Sequence, residues 1–341
     1  MKNPGPYLVV LLITMAVLLV SGGIFPVPSI AGKPFVDDQS IYLPGVFNSY
    51  GTDPASIYSK FWPTARHDMA RTGYNAGEEE LHPPLELVWS SQFDTDYSVS
   101  IITASEDDLA VTASGPGATG SNAVFMLEAT DGSKRWDFTL PNGGRGAMKV
   151  AATFDANSVY FGGQKDSHFY SLFRDTGALK WEIPGFENLL DSQQAVIGGT
   201  VFGPDDVHGI FAVSSDSGDL IWGQHDGNGE RLPVAWRDGI VYGVRKNNEL
   251  VAFDAASGSV IWTYSPVYFP GLEHSWIIGG EENIVVRSGF SELKSLNPTD
   301  GSLQYTKTYA SDLSLRDPVL ADGRLFVPIY SQTLSGFSIS N

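Results

Sequence analysis

Apolar and polar positions alternate along this chain in short runs, and the runs recur. Leu250-Val-Ala-Phe253 is apolar and extended. Asp254 to Gly258 carry turn chemistry, with an Asp able to bond its own backbone and a Gly free to take positive φ. Ser259 to Tyr264 alternate again, placing Val260, Trp262 and Tyr264 on one face. The pattern predicts a strand, a tight turn and a second strand.

The chain writes this hairpin five times. The other copies are Phe125–Trp136, Tyr170–Trp181, Phe211–Trp222 and Lys294–Tyr305. A glycine stands four residues before the aromatic in each copy, at Gly132, Gly177, Gly218, Gly258 and Gly301. The aromatics Trp136, Trp181, Trp222, Trp262 and Tyr305 are spaced by 45, 41, 40 and 43 residues. Hairpin chemistry held at a period near 40 signals a repeat architecture.

Each period holds four short β runs; in the fourth they span 232–236, 239–245, 248–254 and 259–264. A four-stranded unit at this period predicts an all-β fold, a β-propeller of four-stranded blades. One blade cannot bury both faces of its sheet, so neighbours pack around an axis, and the large Trp suits the seam between them. First, second and third strands each number six, but fourth strands after a Gly turn number five. Leu85–Phe93, with Trp89, reads as a fourth strand without its turn. The expectation is six blades, or seven if one unit is degenerate, with residues 85–93 pairing with the C-terminal strand and closing the ring, which removes open edges.

The hairpin resembles that of the PQQ-like (quinoprotein-type) β-propeller repeat family, with Ala252-Phe-Asp-Ala-Ala-Ser-Gly-Ser-Val-Ile-Trp262 the closest copy. Trp62–Tyr74 also resembles the lead-in that often precedes the first blade in such proteins. The resemblance covers roughly residues 62–341. It is specific for fold and weak for function, because dehydrogenases, assembly scaffolds and proteins of unknown role share it.

Charge and leader then narrow the setting. With 21 basic and 39 acidic residues the net charge is −18, which repels nucleic acid and anionic lipid. There is no cysteine, so disulfides, thiolate metal sites, a Cys nucleophile and a lipid-modified N-terminal Cys are excluded. Residues 1–31 read as a signal peptide: a basic start, an apolar core from Leu8 to Val20, and small residues at Ser29-Ile-Ala31. The alternative is an uncleaved N-terminal membrane anchor, the one membrane contact expected. Either places the propeller outside the cytoplasmic membrane, secreted or at the cell surface. Residues 32–84 read as a linker and lead-in, and 85–341 as the propeller.

Asp131, Asp175, Asp216, Asp254 and Asp300 stand in or before the turns, where a carboxylate bonds nearby N–H groups. The six histidines show no metal-ligand spacing, and no Ser-His-Asp set, nucleophile elbow or phosphate loop is visible. Asp226-Gly-Asn-Gly-Glu230 offers oxygen ligands for Ca²⁺ but reads first as an exposed turn. No catalytic, cofactor-binding or metal residue is assigned. One cluster is a candidate: Arg231 and Arg316, each two residues before a Pro, with His274 near the same level, at the channel mouth. Such cations hold a carboxylate or phosphate group, or else pair with Glu230 and Asp317.

The resulting reading is a non-catalytic binding or scaffold platform for a protein or polymer at the cell envelope. Gly115–Ser121 and Val267–Leu272 are candidate contact loops. A PQQ-dependent oxidoreductase is the first alternative. The resemblance implies for its alcohol-oxidising members eight blades, adjacent cysteines by the cofactor, and an Asp base beside Ca²⁺ held by Glu and Asn. This chain has no cysteine and fewer blades, so PQQ and Ca²⁺ are not expected. A carbohydrate-binding or carbohydrate-cleaving propeller is the second alternative, requiring a channel-facing acid pair.

Overall fold

Every period of the repeat folds as its own antiparallel sheet. The structure, a computed structural model, describes residues 87–338 apart from 94–96, 106, 116–120, 142–150, 163–166, 187–193, 206, 225–233, 246–248, 266–275, 281, 310–317, 322–323 and 330–332. Blade 1 is β1 (Ser98–Ala104), β2 (Asp108–Ser114), β3 (Ala123–Glu128) and β4 (Lys134–Thr139). Blade 2 is β5 (Thr153–Phe154), β6 (Ser158–Gly162), β7 (His168–Phe173) and β8 (Leu179–Pro184). Blade 3 is β9 (Ala195–Ile197), β10 (Thr200–Asp205), β11 (Gly209–Ser214) and β12 (Leu220–Gln224). Blade 4 is β13 (Ala235–Arg237), β14 (Ile240–Arg245), β15 (Glu249–Asp254) and β16 (Val260–Tyr264). Blade 5 is β17 (Ile277–Gly279), β18 (Ile284–Ser288), β19 (Glu292–Leu296) and β20 (Leu303–Thr308). Blade 6 is β21 (Val319–Ala321), β22 (Arg324–Ile329) and β23 (Thr333–Ser338). Strands pair in chain order within every sheet, and no helix occurs among the described residues.

Burial explains the hydrophobic pattern. The middle strands lie under a neighbouring blade on each side, so they read as continuous apolar runs: β6 is buried at all its positions and β15 from Leu250 to Phe253. Outer strands are buried only in part, with Trp136 and Trp181 each buried between a half-buried and an exposed neighbour. Cores cross blade boundaries. One cluster joins Phe169 and Trp181 of blade 2 to Phe211 and Trp222 of blade 3 and Val251 and Phe253 of blade 4.

The outer strands depart from simple alternation in one respect. Each opens with a β-bulge against the third strand of its blade: Ala252 pairs with Trp262 but Phe253 pairs with Val260, so Ile261 is an extra residue. The same shift inserts Arg135, Lys180, Ile221 and Gln304. Val260 therefore does not share the buried face of Trp262, as strict alternation predicts; it is exposed.

Pairing of residues 85–93 with the C-terminal strand is not seen among the described residues. Residues 87–93 carry no strand assignment, and the sixth sheet has three strands among the described residues. Trp89 nevertheless sits against blade 1 as the fourth-strand aromatics sit against theirs (below). The expected leader, residues 1–31, and the linker, 32–84, lie outside the described residues.

Candidate functional site

The seams between blades are built from the repeat residues. Each fourth-strand Trp crosses to the hairpin turn of the next blade, and the indole lies over that turn's glycine. Trp136 covers Gly177, Trp181 covers Gly218, Trp222 covers Gly258 and Trp262 covers Gly301. Trp89 covers Gly132 in the same way. Each indole N–H then donates to the carbonyl three residues before the glycine: Trp89 to Ala129, Trp136 to Arg174, Trp181 to Ser215, Trp222 to Ala255 and Trp262 to Pro298, at 2.7–3.1 Å. A buried indole donor is thereby satisfied. The glycine is required twice over. Its φ is +68° to +78° in these five turns, and a Cβ there would lie no more than 2.9 Å from the ring.

The turn aspartates divide. Asp131 Oδ1 accepts from Ser133 N–H (2.8 Å), Asp300 Oδ1 from Ser302 N–H (2.9 Å), and Asp254 Oδ1 from the N–H and hydroxyl of Ser257 (2.8 and 2.7 Å). Those serine bonds hold all three carboxyls below the usual range. Asp216 instead pairs with Lys180 of blade 2 (3.3 Å), and in blade 2 Thr176 Oγ1 accepts the turn N–H of Ala178.

Two arrangements were not legible in the sequence. At the seam of blades 1 and 2, the Asp108 carboxylate is almost wholly buried and held by two arginines. Arg135 Nη1 and Arg174 Nε each lie 2.6 Å from one of its oxygens. Arg174 also donates to Ser105 Oγ and Asp155 O, and its guanidinium lies 5.1 Å from the Phe154 ring centre. Arg135 Nε pairs with Glu128 at 2.7 Å, the bond that does most to keep Glu128 ionised. These residues lock the seam; they present no reactive group. In blade 3, fully buried Asp205 accepts the N–H groups of Val207 and His208 and pairs with His208 Nδ1 at 2.8 Å. The imidazole stacks on Phe186 of the blade 2 connection, 4.4 Å between ring centres. The only local signal was Asp205-Asp-Val-His208, a carboxylate and an imidazole across one hairpin tip.

Arg231, His274 and Arg316, the Asp226–Glu230 turn and the Val267–Leu272 loop lie outside the described residues, as does most of Gly115–Ser121. Among the described residues no three His, Asp or Glu side chains converge to hold a metal ion.

Sheet order, period and the Trp-over-Gly seams define the class, a β-propeller built from PQQ-like hairpin repeats. Family comparison places the chain more narrowly: it belongs to the family described as outer membrane protein assembly factor BamB, matched over residues 86–230, 208–271 and 246–341. The outer membrane protein assembly factor BamB of Yersinia pestis is 22% identical over 233 residues, 64% of this chain and 58% of that protein, so this chain spans little more than half of its relative. The crystal structure of BamB from Moraxella catarrhalis superposes with a TM-score of 0.50 at 16% identity, covering 70% of this chain and 72% of that one. A europium-containing methanol dehydrogenase superposes at 0.58 with 10% identity, covering 81% and 70%. At these identities the superpositions show the fold alone.

Proposed function

We propose that this chain is a non-catalytic platform that binds a protein partner at the cell envelope. The family match across all six blades carries the reading. The seams support it, because five Trp–turn contacts fix the blades against one another and leave hairpins and connections free to differ. The partner class taken from the family's description is the machinery that assembles outer membrane proteins. To test this, the purified chain is cross-linked in envelope extract and the products are identified. Enrichment of an outer membrane assembly component over a heat-unfolded control is the expected result. Enrichment of none, or turnover of an alcohol on addition of PQQ and Ca²⁺, would overturn the reading.

The platform also requires a rigid ring, and the reading includes closure by residues 85–93 against β23. Trp89 supports this by occupying at Gly132 the place each preceding blade's aromatic takes. Val88→Pro removes a backbone donor next to that anchor. With closure, amide hydrogens of β23 exchange much faster in the variant than in the wild type. Unchanged exchange in β23 would show that the ring does not close there.

A further inference from the structure

We infer that the outer strands of blades 3 and 4, β12 and β16, form a docking surface for an extended polypeptide segment with aliphatic side chains between lysines or arginines. The inference rests on the platform reading and assigns it a surface and a partner chemistry.

The bulge position carries the argument. In blade 1 it is Arg135, bound to Asp108 and Glu128. In blade 2 it is Lys180, reaching the Ser215 carbonyl at 3.1 Å and Asp216 at 3.3 Å on the next blade's turn. In blade 5 it is Gln304, bonded to Ser295 and the Glu282 carbonyl. Blades 3 and 4 break this polar series with Ile221 and Ile261. The turn that follows blade 3 changes with it, carrying Ala255-Ala256 where blade 3's own turn carries Ser215-Asp216. A polar tether has been exchanged for apolar groups at both of its ends. Ile221 and Ile261 are 49% and 45% exposed on adjacent blades, beside Leu220 and Val260, whose position is exposed also at Leu179 and Leu303 in blades 2 and 5. Aliphatic side chains left in water this way, in neighbouring units, are the mark of a contact surface.

Edge chemistry agrees. An outer strand presents unpaired N–H and C=O groups, and proteins guard such edges with charge or proline. β4 carries Lys134, Arg135 and Asp137, β8 carries Lys180, Glu182 and Pro184, and β20 carries Lys307. β12 and β16 have neither a charged residue nor a proline, and each ends its sheet among the described residues. An added strand gains backbone bonds there, while its alternate side chains meet the exposed aliphatics.

Charge selects the occupant. Asp219 lies in the turn before β12, and Asp254 closes β15 before β16, in a chain of net charge −18. Basic groups at the ends of the segment match those carboxylates. A second copy of this chain would set like charges together, and an anionic membrane would be repelled.

The probe is a fluorescent peptide of alternating valine and threonine with two lysines at each end. The variant is Ile221→Lys with Ile261→Lys, which copies the residue blade 2 already tolerates at this bulge; Ile221→Thr with Ile261→Thr is the milder second variant. Fluorescence anisotropy is expected to show saturable binding to the wild type. Affinity falls roughly tenfold or more in the lysine variant, less in the threonine variant, with unchanged melting. Peptide-dependent protection of amides maps to β12 and β16. Equal binding by wild type and folded variants, no binding to the wild type, or protection elsewhere would overturn the inference. So would Ile221- and Ile261-dependent dimerisation in sedimentation, or Ile-dependent flotation with phosphatidylglycerol vesicles, each of which assigns the surface to another occupant. Envelope cross-linking that persists in the lysine variant would remove this surface and leave the platform reading standing.

Discussion

Replacing Trp222 with alanine destabilises the propeller by about 3–5 kcal/mol, the cost of emptying a large aromatic site in a packed core. Trp222 is 7% exposed, its ring lies 5.9 Å from Phe202 and 6.0 Å from Phe253, and its N–H bonds the Ala255 carbonyl. The variant loses that packing and leaves a carbonyl at the turn without its donor. Denaturant unfolding of wild type and variant measures the difference. The glycine beneath provides the internal check. Gly258→Ala strains a backbone at φ +69° and drives a Cβ into the same indole, costing about 1–3 kcal/mol. In the double variant the collision is gone, so the two losses sum to less than their separate values. Strict additivity would mean that the ring and the glycine do not act as a unit.

Replacing Asp108 with alanine is the second large effect, about 3 kcal/mol. The change leaves Arg135 with only Glu128 and Arg174 with no carboxylate partner at the seam. The lower part of the range for a broken buried pair applies because Arg135 is 26% exposed and water screens part of its charge. The same logic predicts recovery. Arg174→Met placed beside Asp108→Ala removes the orphaned charge, and the double variant unfolds at a higher denaturant concentration than Asp108→Ala alone. A double variant less stable than either single one would show that Arg174 acts mainly through Ser105, Asp155 and Phe154.

Much of this architecture was legible because hairpin chemistry is local. Asp254, Ser257 and Gly258 fix their turn within five residues, and the apolar run Leu250–Phe253 follows from burial on both sheet faces. Repetition then exposed the blade, since one glycine before one tryptophan means little and five in register specify a unit. The bulges were hidden. Nothing in Ser259–Tyr264 distinguishes an extra residue from a regular one, because register is set by the partner strand. That single slip turned Val260 outward. The Asp108 network was hidden for a related reason: Arg174 lies 66 residues from its carboxylate and reaches it only when blade 2 packs on blade 1.

The amino-acid sequence by itself determined the strands, the turns and the spacing of aromatics, since each depends on neighbours a few bonds away. Only the tertiary structure decided which carbonyl each indole meets, which two arginines share Asp108, and that Ile221 and Ile261 face solvent where Arg135, Lys180 and Gln304 are bonded. Those outcomes belong to contacts between blades, and a contact between blades has no local code: the same side chain is a tether or an open apolar face according to what the next unit sets beside it.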